Sequence, residues 1–454
     1  MLDYIFYLSH SIACMHYLPQ IIFLVVTAFA VFLFWKNASQ IRNNILLGVP
    51  ENRSDNPAAR WKNVLLLAFG QKKMFRNMLV AILHLFVYVG FVVINIEVLE
   101  IVLDGLLGTH RLFFEPLGAL YAVLINIFEV FAALVIFAVV VFFIRRNIIY
   151  IRRFRAKELT GWPKSDANYI LIIEVILMTL FLTMNATDSA LQLKNAPHYV
   201  AANTGNFVIS GFLVPLFSSF SIETLTIIER SAWWLHILGI LAFLNYLPVS
   251  KHLHIILAFP NAYYTRLFPQ GEVKNMPAVQ DEVRYMMQPE LAPPGDAAMQ
   301  KFGAKDVMDL SWKNLLDAYT CTECGRCSAA CPANITGKLL SPRKIMMDTR
   351  DRLVEVGNNI KKNGSFVPDG KTLVIDYITV EELRACTTCN ACVTECPISI
   401  NPLDIIVELR RSLVMEESNA PAEWNGMFSN IENNFAPWKL SPDDRDKWTE
   451  DLIN

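Results

Sequence analysis

Apolar residues fall in long blocks along the first half of this chain and thin out in the second. Near-continuous runs cover Leu18–Trp35, Met78–Leu103, Leu117–Ile144, Tyr169–Met184 and Ala232–Val249. A helix needs about 20 apolar residues, or about 17 at the short end, to cross a bilayer. Five spans are therefore expected, near 18–35, 78–103, 117–144, 169–184 and 232–249. The fourth is close to the limit because Asn168 and Asn185 bracket it. A sixth stretch, Phe207–Phe220, is shorter and broken by Gly211 and Pro215, which marks an interfacial or re-entrant piece. Trp61–Phe75 reads as an amphipathic helix lying on the membrane surface.

Past Pro260 the chain turns polar. Residues 261–300 read as a linker punctuated by Pro269, Pro277, Pro289, Pro293 and Pro294. Residues 301–418 read as a folded domain with helix-compatible stretches at Ser341–Val356 and Val380–Cys386, and 419–454 as a polar tail. The fold class is thus mainly α: a five-helix transmembrane bundle over 1–260, then a cytoplasmic α-helical ferredoxin-type domain. Composition agrees, with 54% hydrophobic and only 18% charged residues, below the roughly 25% of soluble domains. Net charge is −2, so no basic surplus points to nucleic acid.

The distribution of Lys and Arg orients the bundle. Eight of them lie between Lys36 and Arg76, and seven between Arg145 and Lys164. The loops after the second and fourth spans hold only Arg111 and Lys194. The N-terminus is expected outside, with the two basic loops and the C-terminal domain in the cytoplasm of a bacterial or archaeal cell. An odd number of spans requires Phe207–Phe220 to stay on the outer face.

Eight of the nine cysteines form two identical motifs. Cys321, Cys324, Cys327 and Cys331 precede Pro332; Cys386, Cys389, Cys392 and Cys396 precede Pro397. This spacing suits two [4Fe–4S] clusters, each wrapped by three close thiolates with the fourth crossing from the other motif. The expected sets are Cys321, Cys324, Cys327 and Cys396, and Cys386, Cys389, Cys392 and Cys331. Zinc favours paired cysteines across a longer loop, and a radical enzyme using S-adenosylmethionine would space its cysteines differently. Thiolates of this kind need a reducing compartment. The ninth, Cys14, follows Ser11-Ile12-Ala13 but lacks the basic start and long apolar region of a lipidation signal.

Histidines supply a second set of ligands. His84 lies near the cytoplasmic end of the second span, and His252 and His254 near the matching end of the last. His236 lies toward the outer end of that last span. Two histidines at matching depth on different helices can hold a b-type haem, and His84 and His254 match. The stretches Leu235-His236, Phe243-Leu244-Asn245-Tyr246-Leu247-Pro248-Val249-Ser250-Lys251-His252-Leu253-His254 and Pro260-Asn261-Ala262-Tyr263-Tyr264-Thr265-Arg266 resemble the last helix of the respiratory nitrate reductase gamma subunit. That resemblance implies five spans, an external N-terminus, and His84 pairing with His254 on an inner haem. The family's second haem takes a further histidine ten residues after the first. Here that position is Ile94, so one haem is expected. His236 is left for a second haem, if His110 or His198 folds back to it, or for a quinone.

The C-terminal half carries its own resemblance. Asp309-Leu310-Ser311-Trp312-Lys313, Leu315-Leu316-Asp317-Ala318, Cys321-Thr322-Glu323-Cys324-Gly325-Arg326-Cys327, Cys386-Thr387-Thr388-Cys389 and Met415-Glu416-Glu417-Ser418 resemble membrane-bound Fe–S oxidoreductases related to heterodisulfide reductase. In those a gamma-subunit-like module is fused to a dicluster module of the heterodisulfide reductase C type. Many continue into catalytic Cys-Cys-Gly domains, a sequence missing here, so the resemblance implies a separate cytoplasmic subunit for the catalytic end. The expected function is a membrane electron-transfer subunit linking quinone, haem, clusters and that partner. Glu97, Glu129 and Glu174, acids inside apolar runs, are candidates for proton handling. The alternative is a haem-free, membrane-anchored dicluster ferredoxin that docks or senses a redox partner.

Overall fold

The computed structural model describes residues 17–293, 301–439, 441–444 and 446–452; Cys14 lies outside them. Five helices are long and apolar enough to cross a membrane. They are α1 (Leu18–Ile45), α2 (Met78–Leu107), α3 (Ala119–Asn147), α4 (Trp162–Leu193) and α5 (Ile222–Tyr246). Their starts carry ordinary helix signals. Asn77 and Ser221 cap α2 and α5 by accepting from the Val80 and Thr224 amides, and Pro19 and Pro163 sit in the first turns of α1 and α4.

Most of these helices outrun the apolar stretches that announce them. Hydropathy marks the part that meets lipid, whereas a helix continues wherever its polar side chains find partners. α4 passes through Asn185 because that carboxamide accepts from Arg111 and donates to Glu129. α5 begins ten residues ahead of Ala232 because Glu229, inside the added turns, is held by Tyr199 and Arg230.

α1 packs on α2, α2 on α3, α3 on α4, α4 on α5, and α5 returns to α1. The approach is close at two glycines. A Cβ on Gly105 would stand 2.7 Å from the Phe23 ring, and one on Gly90 2.7 Å from Val135 Cγ2. Small residues of this kind let membrane helices pack backbone to backbone. Ile94, Ile125, Phe128, Phe181 and Ile237 fill the interior.

The loops after α1 and α3 lie at one end of the bundle together with the C-terminal domain, here the domain end. The connections after α2 and α4 lie at the far end. There, residues 207–220 form two short turns, Ser210–Phe212 and Val214–Phe217, laid against α4. At the domain end, residues 57–76 coil as a helix (Pro57–Asn63) that widens into a π-type turn (Val64–Phe69) before Met74–Arg76.

α5 stops at Tyr246, and two 3₁₀ turns, Leu247–Val249 and Lys251–Leu253, separate it from α6 (His254–Tyr263). His252 and His254 therefore lie past the last span, in the second of these turns and at the start of α6. Pro248 sits in the break, and Asp166 at the start of α4 fixes it. Its carboxylate accepts from Tyr246 Oη at 2.6 Å, Ser250 Oγ at 2.7 Å and the Lys251 amide at 3.1 Å.

The domain is built on α7 (Trp312–Thr320), α8 (Pro342–Asn363) and α9 (Pro402–Arg411), capped by Ser311, Ser341 and Asn401. Among the described residues there is no strand, only the isolated bridges Val49–Ser311 and Val374–Ile378. One core runs from the bundle into the domain, joining Ile41, Ile45, Phe243, Leu247 and Leu253 to Leu310, Leu315, Ile345, Leu353 and Leu409. Fully burying each such side chain is worth about 1.5–3 kcal/mol, so the domain is docked rather than tethered. Asn44, at the end of α1, crosses Gly357 of α8 where a Cβ would collide, and donates to Tyr319 Oη at 2.8 Å.

Candidate redox centre at the bundle–domain junction

Each cysteine motif folds the same way. The third and fifth positions, Glu323 and Gly325 in the first motif and Thr388 and Asn390 in the second, all have left-handed φ between 56° and 70°. These reversals curl the loop so that three successive thiols face inward. A one-turn helix follows in each, Arg326–Ala330 and Ala391–Glu395, and the fourth cysteine then leaves in an extended conformation. The two short helices pack on each other. That contact carries each fourth cysteine across to the other motif. Cys327 feels the thiols of Cys324, Cys321, Cys396 and, least, Cys392, whereas Cys392 feels those of Cys386, Cys331 and Cys389.

All eight thiols are free. Among the described residues, no three His, Cys, Asp or Glu side chains converge tightly enough for a single metal ion. Burial pushes Cys321 and Cys392 up to about 12 and Cys396 up to about 11, so bare thiolates are disfavoured at these positions. Two sets of four sulfurs, needing positive charge and spread wider than a one-ion site, fit two four-iron clusters. The sets differ in exposure: Cys321 is buried, while Cys389 is exposed.

Cations from the bundle surround the first set. Lys73 Nζ donates to Ser399 Oγ at 2.9 Å, three residues past Cys396. Arg153 flanks Cys324, and its backbone carbonyl accepts from Arg343 at 2.7 Å. Arg343 in turn pairs with Glu158 at 2.8 Å. Lys251 binds Glu323, inside the first motif, and donates to Pro163 O at 2.6 Å. Beside the second set, Arg410 of the domain itself donates to the carbonyl of Cys386 at 2.5 Å, and Lys73 reaches the carbonyl of Val393, next to Cys392, at 3.4 Å. Lys73 and Arg153 counted toward orientation in the sequence; their aim at particular cysteines needed the fold.

Three histidines gather beside the first motif. His84 has His254 and Arg326 in its electrostatic surroundings, and His252 has His254 and His84. The His252 ring centroid lies 5.5 Å from that of His254 and 5.2 Å from that of Phe243. His84 Nδ1 bonds Gln71 Oε1 at 3.0 Å, and His254 Nδ1 bonds Lys251 O at 3.1 Å. Such second bonds fix the ring and tautomer of an iron-ligating histidine and leave Nε2 for the metal. Burial pushes His252 down to about 3 and lowers His254 too, so these rings stay neutral and keep a lone pair. The donor set fits a haem.

His236 is fully buried on α5. Its Nδ1 bonds Leu177 O at 2.9 Å, while Nε2 has no partner. His110 and His198 lie at the far end with ring centroids 5.3 Å apart, and His110 Nε2 is 3.5 Å from Asp188.

Of the three intramembrane glutamates, Glu129 is saturated. It accepts from Asn185 at 3.1 Å and from the Ile209 and Ser210 amides at 2.8 and 3.1 Å, which clamps the 207–210 turn to the bundle. Glu97 is buried with Oε2 unpartnered, and Glu174 is half-buried on α4. The apolar pattern alone did not disclose a larger network. Arg111 donates to Asp188 at 2.6 Å, Asn185 at 3.0 Å and Tyr121 at 3.2 Å, and Tyr121 donates to Glu100 at 2.8 Å. Asp104 takes the Arg111 and Leu112 amides. The signal was present: Glu97, Glu100 and Asp104 recur at helical spacing on one face of an otherwise apolar helix.

Residues 320–400 match the family model of the 4Fe-4S dicluster domain. Over 95% of its length the chain is 28% identical to a probable iron-sulfur-binding oxidoreductase of Bacillus subtilis, and over 96% it is 26% identical to an EtfAB:quinone oxidoreductase of Syntrophomonas wolfei. This is an iron–sulfur-oxidoreductase-like membrane protein. The chain spans about three-fifths of those two relatives, 61% and 60%. A stretch covering 22% of the chain is 36% identical to one component of a CoB-CoM heterodisulfide reductase of Methanosarcina acetivorans, over 49% of that component. No solved structure matches the chain. The relatives support an electron-transfer role.

Proposed function

We propose that the chain is the membrane electron-transfer subunit of a quinone-linked oxidoreductase, serving a quinone on one side and a cytoplasmic redox partner on the other. His84 and His254 would hold a b-type haem. Cys321, Cys324, Cys327 and Cys396 would hold one [4Fe–4S] cluster, and Cys386, Cys389, Cys392 and Cys331 the other. When bound, these groups supply the one-electron carriers that two-electron quinone chemistry requires.

The observation that carries this reading is that Arg326, between Cys324 and Cys327, lies within electrostatic reach of His84 on a membrane helix. Around it, the protein's own residues orient and tune. Gln71 and the Lys251 carbonyl aim the two imidazoles, and Asp166 holds the backbone break that presents His254. Lys73 and Arg153 put positive charge beside the first cysteine set, which favours its more reduced state. The exposed Cys389 marks the face for a soluble partner. Quinone at the membrane side is supported by the similarity to the EtfAB:quinone oxidoreductase of Syntrophomonas wolfei.

His236 Nε2 offers an acceptor for a quinol hydroxyl, or a ligand for a second haem. Glu97, with a free carboxylate oxygen in the bundle, suits proton transfer. The two basic loops sharing the domain end support a cytoplasmic placement of that end.

The test is re-oxidation of dithionite-reduced protein in lipid vesicles by added menaquinone or ubiquinone analogues, followed by cluster absorbance and EPR. Fast re-oxidation that slows at least about tenfold in His84→Ala and His254→Ala is expected. Equal rates in wild type and variants would overturn the haem route; no re-oxidation by either quinone would overturn the quinone link.

A further inference from the structure

Trp61, Leu65 and Phe69 follow one another at four-residue spacing in the loop between α1 and α2. They are 57%, 59% and 50% exposed. Residues so spaced share one helical face. The edges of Trp61 and Phe69 touch Tyr263 and Phe259, yet about half of each ring is uncovered. α2 starts nine residues after Phe69, and its first residues, Met78 and Leu79, are 59% and 60% exposed. The stripe therefore stands at the level where lipid begins.

The same segment walls a cavity of about 660 Å³ between the bundle and the domain. Six Lys and Arg line it against two acids, Asp317 and Asp404. Four of the six are matched: Arg266 with Asp404, Lys313 with Asp317, Arg76 with Glu395 and Arg53 with Glu51. Lys72 and Lys73 form no ion pair among the described residues, and Arg53 Nε is buried without a partner. No cysteine lines the cavity, although Asn390 and Val393 of the second motif form part of its wall. Its apolar wall includes Leu66, Leu67, Phe75 and Phe268.

We propose that this cavity binds the phosphate of an anionic phospholipid, with Trp61, Leu65 and Phe69 resting in the adjoining acyl boundary. Lys72 carries a charge that no acid compensates, which matches the single charge of a phosphodiester, while Lys73 is shared with the first cysteine set; basic pockets beside membrane helices take anionic headgroups for this reason. The apolar wall and the exposed stripe favour a phosphate that carries acyl chains over a free one. Because Arg53–Arg76 wall one side and Asn390–Asp404 the other, the lipid joins the bundle to the domain.

The test is native mass spectrometry of the delipidated full chain titrated with phosphatidylglycerol, phosphatidylcholine or inorganic phosphate. One phosphatidylglycerol should bind in preference to phosphatidylcholine. Lys72→Gln/Arg76→Gln should weaken it about tenfold or more, while Lys361→Gln/Lys362→Gln, on exposed α8 positions, should not. If the double variant loses iron or aggregates, Lys72→Gln alone, at an exposed position, should still weaken binding severalfold. Equal binding of both lipids, or no effect of the Lys72 variants, overturns the proposal. Displacement of the lipid by millimolar inorganic phosphate would make this a free-anion site and overturn the lipid assignment.

Discussion

The two ends of the bundle bury polar groups in opposite ways. At the far end, Arg111, Asp188, Asn185, Tyr121, Glu100, Asp104 and Glu129 satisfy one another and the backbone of the connecting loops. At the domain end, His84 and His254 are bonded through one ring nitrogen only, beside eight free thiols. A buried polar group without a partner costs about 1–3 kcal/mol. The far end keeps that cost small by closing most of its network, with Glu97 Oε2 and His110 Nε2 left without a hydrogen-bond partner, which makes it a fastening. The domain end leaves the second ring nitrogen of His84 and of His254 without a protein hydrogen bond, which is the condition for holding a cofactor.

The largest effects should come from opening the cysteine sets. Cys321→Ser/Cys396→Ser should lose the iron of one cluster, about half the total, and Cys321→Ser/Cys386→Ser should lose both. Iron and sulfide analysis reads the difference, and equal losses would sink the crossed assignment. Next, Arg111→Ala should lower stability by about 3–5 kcal/mol, because it strands Asp188 and its neighbours without a counter-charge. Thermal unfolding measures this, and iron content of the folded fraction should stay at the wild-type level. A loss of iron would mean the two ends are not independent.

Asp166→Ala sharpens the contrast at the domain end, where one saturated carboxylate positions an unsaturated pair. It should cost about 1–3 kcal/mol and broaden or shift the haem absorption, since the turn carrying His252 and His254 loses three bonds. A purely structural role would leave the spectrum unchanged. The smallest effect belongs to Lys73→Gln. Stability should change by less than about 1 kcal/mol, while EPR-monitored titration should show one cluster moving to lower potential and the other unmoved. Equal movement of both would remove Lys73 from the first set's surroundings.

Much of this architecture was legible in the sequence because its signals are local. Five apolar runs and two repeated cysteine spacings need no knowledge of distant contacts. The break after Tyr246 was not legible: apolar residues continue to Val249, and the carboxylate that fixes the break lies 80 residues earlier. Arg111 read as a stray cation in an outer loop because its partner Asp188 is 77 residues away. Glu129 looked like a lone intramembrane acid, and only the fold shows the Ile209 and Ser210 amides that bind it. Hydropathy locates a polar residue; it does not show whether that residue is satisfied.

The central claim is that the open domain end, and not the far end, holds haem through His84 and His254. The direct test is the dithionite-reduced minus oxidised spectrum of purified protein beside His84→Ala, His254→Ala and His236→Ala. A bis-histidine α-band present in wild type, retained in His236→Ala and lost in the other two is the predicted result. A band that survives both His84→Ala and His254→Ala, or no band in protein with intact clusters, would contradict the claim and leave a membrane-anchored dicluster ferredoxin.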